Sequence, residues 1–195
     1  MLLALRAWRV LFPQLFRELP RLVLANLLWL VGAWPLLTLG AATLVAFAWL
    51  RQPAASGRNV GSLARRLWWP GTVWGFAWAL FALLWLSNLL YWPRLLPPFG
   101  QAVALVLLLL VGWLWLALQP CWLAALADGL PSLAALKHAG RRLLAAPAYA
   151  LTGALPVLLL ALLASVFKTF WALAGVGLLL AYWARLEGAE ALHET

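Results

Sequence analysis

Leu22-Val23-Leu24-Ala25-Asn26-Leu27-Leu28-Trp29-Leu30-Val31-Gly32-Ala33-Trp34-Pro35-Leu36-Leu37-Thr38-Leu39-Gly40-Ala41-Ala42-Thr43-Leu44-Val45-Ala46-Phe47-Ala48-Trp49-Leu50 is a run of 29 residues without one charge. As a single helix it would measure about 43 Å at ~1.5 Å per residue, well beyond the ~30 Å hydrocarbon core of a bilayer. Pro35 stands near its middle. Proline donates no ladder hydrogen bond and pushes the residue before it out of the α region. Thr38 then suits the cap of a second helix through Gly40 to Trp49. Two readings follow: one tilted, kinked span, or a helix-break-helix hairpin with arms short for a bilayer.

The charges on either side decide between them. Arg6, Arg9, Arg17 and Arg21 precede the run, and Arg51, Arg58, Arg65 and Arg66 follow it. A third basic segment, between Asp128 and Pro147, holds Lys137, Arg141 and Arg142. The remaining connections are poor in charge, with Arg94 in one and Lys168 in the other. Basic loops stay on the cytoplasmic side. The segments flanking 22–50 are both basic and therefore share a side, which selects the hairpin. Four full spans follow, over 72–92, 101–122, 148–167 and 170–184, and both termini are cytoplasmic. The fold class expected is thus all-α: a polytopic transmembrane bundle of about six membrane segments with a Pro-broken first hairpin, forming one domain over 1–195.

Composition points the same way. Of 195 residues, 67% are hydrophobic and 10% charged, with a formal net charge of +9. Mean hydropathy is +0.96. A 21.5 kDa soluble globule has too little interior for this much apolar surface. Disorder needs the opposite composition. Nucleic acid is not an expected partner, because the cations fall between apolar spans and not along one groove-facing stripe. Cys121 stands alone and implies no disulfide. Arg6 interrupts the opening apolar residues too early for a signal peptide. Several of the 15 tryptophans, including Trp49, Trp68, Trp69, Trp92, Trp122, Trp171 and Trp183, fall near expected span edges, where indoles favour the interface.

Two stretches read as interfacial. Residues 1–20 mix apolar residues with Arg6, Arg9, Arg17 and Glu18. Residues 131–146 set Leu133, Leu136, Leu143 and Leu144 against Lys137, His138, Arg141 and Arg142. A basic amphipathic helix suits the headgroup layer of an anionic leaflet. Those four cationic or titratable residues are the candidate surface for a partner or for lipid headgroups.

Asn26 to Leu30 with Pro35-Leu36-Leu37-Thr38-Leu39-Gly40-Ala41-Ala42 resembles the first block of the YesL-like family of small bacterial membrane proteins. Leu67 to Phe76 with Asn88 to Tyr91, and Gln119-Pro120 followed by Leu136 to Ala139 and Ala146-Pro147, are similar to its later segments. The sequence departs from that pattern just after Gly40, where another proline is expected, and its loops are shorter. The resemblance implies residence in the bacterial cytoplasmic membrane and an accessory role beside carbohydrate uptake. It implies no catalytic or binding residues.

A search for chemistry yields little. The long apolar stretches contain no ionisable residue, the usual mark of function inside a membrane. Proton-coupled transport, intramembrane proteolysis and metal catalysis all need such groups at depth. The chain is therefore expected to be no enzyme and to hold no metal or other cofactor. Within the spans, Asn26 and Gln119 fall toward the inner leaflet, and Thr38 and Asn88 toward the outer one. They read as interhelical glue, each bond contributing about 0.6 kcal/mol. The alternative is a small transporter or permease subunit with a polar cavity at the Pro35 break. Gly75 with Ala79 and Gly177 with Ala181 have the small-residue spacing of close helix contacts. Expected partners are the lipid bilayer, anionic headgroups and other membrane transport subunits.

Overall fold

The computed structural model describes residues 18–29, 31, 38–51, 60–146, 148, 154, 157 and 175–191. These residues are all-helical, with six helices and no strand among them. They are α1 over 18–29, α2 Leu39–Arg51, α3 Val60–Leu95, α4 Pro98–Ala127, α5 Ser132–Ala145 and α6 Val176–Ala191. Pro35, most of the N-terminal stretch and most of the expected span 148–167 lie outside the described residues.

Two helices are long and apolar enough to cross a membrane: Val60–Trp92, 33 residues, and Pro98–Ala127, 30 residues. In each, only 6% of the most apolar window is buried inside the protein. A core helix of a soluble domain would be mostly buried, and these two present their apolar residues outward. Both helices outrun the spans expected at 72–92 and 101–122. Pro70 and Pro93 lie inside α3, and Pro120 inside α4. Helical neighbours let a membrane helix absorb such a proline.

The ends of α4 follow from local chemistry. Pro97 caps it in extended conformation and Pro98 opens the first turn, where its missing N–H is not needed. At the other end Gly129 takes φ +93°, a left-handed conformation open to glycine. The Gly129 N–H then bonds Leu126 O, and the Leu130 N–H bonds Ala125 O, both at 3.0 Å. This is a Schellman stop. Asp128-Gly129 thus ends α4 and turns the chain into α5.

Helices α3 and α4 run antiparallel. Trp74 meets Gln119, Phe81 stacks on Trp115 with centroids 4.2 Å apart, and the Trp85 indole donates to Leu108 O at 2.7 Å. Helices α1 and α2 form a second antiparallel pair. The Arg21 guanidinium donates to Trp49 O at 2.8 Å, and the Trp29 indole donates to Thr43 Oγ1 at 2.8 Å. One straight helix would hold Arg21 and Trp49 about 42 Å apart, so the chain reverses between them.

The hairpin meets α3 through glycine. A Cβ on Gly75 would lie 2.7 Å from Gly40 Cα, and one on Gly71 would lie 2.6 Å from Ala41 Cα. Backbone touches backbone here, which no larger residue allows. This crossing also fixes depth. From Gly75, α3 continues twenty residues to Leu95, about 30 Å beyond the level of Gly40. The core sits accordingly at one end of the bundle. Leu44 and Phe47 of α2, Leu67 of α3, Leu123 and Leu126 of α4 and Leu180 of α6 are fully buried there. The far halves of α3 and α4 present Leu83, Leu90, Val106 and Leu109 outward.

Candidate functional site

Charge gathers at the end of the bundle that holds the core. Of the described cations, only Arg94 stands at the opposite end of α3. Arg51, last residue of α2, reaches the C-terminus of α4. It pairs with Asp128 at 2.8 Å and donates to Ala124 O at 3.2 Å. Arg66 of α3 donates to Ala127 O at 3.0 Å. Arg66 thus caps Ala127 O, for which no backbone donor is found among the described residues, while Arg51 adds a second bond to Ala124 O, which already accepts from the Asp128 N–H. Both guanidinium groups meet the negative end of the helix dipole. Arg185 of α6 pairs with Glu18 of α1 at 2.7 Å. Arg21 sits 5.1 Å from the centroid of the Trp49 ring.

These contacts bind the bundle together and leave a smaller set of cations facing out. Arg65, Lys137, His138 and Arg141 are exposed, and Arg142 is half-buried. The sequence sets four leucines of α5 together, opposite its cations and toward the bilayer. The structure divides them. Ala135 and Ala139 are fully buried, with Leu136 and Leu143 half-buried beside them. Leu133 is 66% and Leu144 84% exposed. At 100° per residue both leucines fall next to Lys137 and Arg141, on the outer face. Small alanines allow α5 to pack closely, so the larger leucines are left outside.

The four polar span residues take separate partners. Asn26 is 1% exposed, and its Oδ1 accepts from the Gly177 N–H at 3.3 Å. Gln119 is fully buried. It accepts from the Trp74 indole at 2.9 Å and donates to Trp115 O at 2.8 Å. Asn88 is half-buried on α3, where it donates to Leu84 O and accepts from the Trp92 indole. Thr38 lines an apolar groove of about 170 Å³ between α2 and α3. Asn26 and Gln119 lie about 12–14 Å in from the charged end, counting along their helices.

Sequence reasoning found these residues but missed their partners. Trp74, one of the tryptophans away from the expected span edges, is the donor that Gln119 satisfies. Gly75 was matched with Ala79, whereas its counterpart is Gly71, four residues before it. That Gly-x-x-x-Gly spacing was the available signal. Trp68, Trp69 and Trp92 are exposed near the ends of α3, as edge residues should be, while Trp49, Trp122 and Trp183 belong to the core. The indole N–H groups of Trp113, Trp115 and Trp122 are buried with no acceptor among the described residues.

Among the described residues no three His, Cys, Asp or Glu side chains come close enough to hold a metal ion. The one cysteine, Cys121, is buried. No protein-family model, no curated protein and no solved structure matches the chain.

Proposed function

We propose that the chain is a multi-pass protein of the bacterial cytoplasmic membrane, with the charged end inside and both termini cytoplasmic. In this reading α3 and α4 cross fully. The stretch from α1 to α2 enters the bilayer and returns to the same side, since Gly40 meets α3 at Gly71 and Gly75, far short of Leu95. A re-entrant hairpin satisfies the basic flanks as well as two crossings would. With the segments at 148–167 and 170–184, the bundle has six membrane segments, the first two short.

Its role is accessory: it serves a membrane system, carbohydrate uptake being the class that the sequence resemblance implies, through its basic cytoplasmic face. The observation that carries this is the one-sidedness of charge. Every described acid with a placed side chain is paired with arginine at that end, and Lys137, His138 and Arg141 stand exposed beyond those pairs. The groove beside Thr38 is lined by apolar residues, which favours this reading over a small transporter with a polar cavity at Pro35.

The test is co-purification in mild detergent, comparing the native chain with the triple variant Lys137→Gln, Arg141→Gln, Arg142→Gln. Loss of the partner from correctly oriented protein supports the reading. Full retention in correctly oriented protein reduces those charges to an orientation signal.

A further inference from the structure

The groove between α2 and α3 is built from two facing stripes. On α2 they are Ala41, Val45 and Trp49; on α3, Val60, Ala64 and Trp68. Each set is spaced four residues apart and so lies along one face of its helix. Eight residues give each stripe a length of about 12 Å, close to the ~15 Å half-thickness of the hydrocarbon core. The groove holds about 170 Å³. It is long, narrow and apolar, and it runs parallel to a helix that crosses the bilayer.

Its ends differ. The deep end lies at Thr38 and Ala42, near the glycine crossing. The other end, at Trp49 and Val60, is bordered by cations. Arg21 lies over the Trp49 ring at 5.1 Å. Arg65, next to the lining residue Ala64, is exposed, and no ion pair is found for it among the described residues. An occupant must therefore be an extended apolar chain with a negative head at the charged end.

We propose that this groove binds one acyl chain of an anionic phospholipid, with the phosphate held at the Arg21–Arg65 end. The assignment rests on the membrane reading above. A second copy of the protein is the other occupant, and the oligomeric state read in the experiment below separates the two.

The experiment uses the full chain, delipidated in mild detergent, with native mass spectrometry during titration by phosphatidylglycerol or phosphatidylcholine. The expected result is one phosphatidylglycerol per chain, bound about fivefold more tightly than phosphatidylcholine for each engaged cation. Ala42→Leu with Ala64→Leu fills the groove and should remove that lipid while the thermal midpoint stays within a few degrees. Arg65→Gln leaves the packing intact and should bring the preference for phosphatidylglycerol down about fivefold. Equal binding of the two lipids, unchanged binding by the filled variant, unchanged preference in Arg65→Gln, or a dimer that filling abolishes would each overturn the proposal. Release of the native chain from washed membranes by carbonate, without detergent, would instead count against the membrane reading itself.

Discussion

The glycine crossing between the hairpin and α3 makes a sharp quantitative demand. Replacing Gly75 with alanine adds one methyl, 2.7 Å from Gly40 Cα and 3.0 Å from Gly40 N. Carbon atoms in ordinary contact sit ~3.5–4.0 Å apart, so the helices must part by about 1 Å. Both neighbours are backbone, and no side chain can rotate away. The cost should fall at the upper part of the ~1–3 kcal/mol range for overpacking. Better helix propensity returns up to ~1 kcal/mol. The net loss is therefore about 2 kcal/mol. At ~2–4 °C per kcal/mol for a chain of this size, the midpoint in detergent should drop by about 4–8 °C.

Gly140 supplies the control. It lies inside α5, and an added Cβ there meets nothing within 4 Å. Gly140→Ala keeps only the propensity gain and should raise the midpoint slightly. The assay is loss of monodisperse protein on fluorescence-detected size exclusion after heating, with native, Gly75→Ala and Gly140→Ala chains side by side. If Gly75→Ala matches Gly140→Ala, the close approach at Gly40 is not real, and the depth assigned to the hairpin goes with it.

Other outcomes follow from the same geometry. Gln119→Leu strips the acceptor from the buried Trp74 indole and should cost about 1–3 kcal/mol; adding Trp74→Phe should recover part of that loss, and strict additivity in the cycle would refute the pairing. Arg51→Ala removes both the Asp128 pair and the bond to Ala124 O, so it should destabilise by about 1–2 kcal/mol. Asp128→Asn should stay within ~0.5 kcal/mol, because that carboxylate is 60% exposed and water screens the pair; equal losses in the two thermal melts would contradict the capping role. In a Cys121→Ser background, cysteines at Gly61 and Pro97 should label from opposite sides of the membrane, and labelling of both from outside intact cells would overturn the crossing of α3.

Legibility divided along physical lines. The 22–50 run, its proline and its two basic flanks were enough to expect a reversal, because charge placement and hydrocarbon thickness act on any sequence without reference to neighbours. Helix α5 was legible over 131–146 for a similar reason: its composition switches from apolar to amphipathic, and the structure places a helix at Ser132–Ala145. Which face it buries was not legible. Hydropathy alone ranks leucine above alanine as a core residue, but close packing against α4 admits Ala135 and Ala139 and leaves Leu133 and Leu144 outside. The same holds inside the spans. Where nearly every position is apolar, periodicity carries no direction, so Gln119 could be named as glue while Trp74 could not be named as its partner. Depth was hidden for a further reason. The length of 22–50 allows two short crossings or one re-entrant loop, and an even number of crossings includes none. In the proposed threading the contact of Gly40 with Gly71 and Gly75 favours the loop, and it is a contact between residues with no side chains to signal it. What decides the architecture of this bundle is therefore the absence of atoms at three glycines, which is why a reading built on the properties of side chains stopped one step short of it.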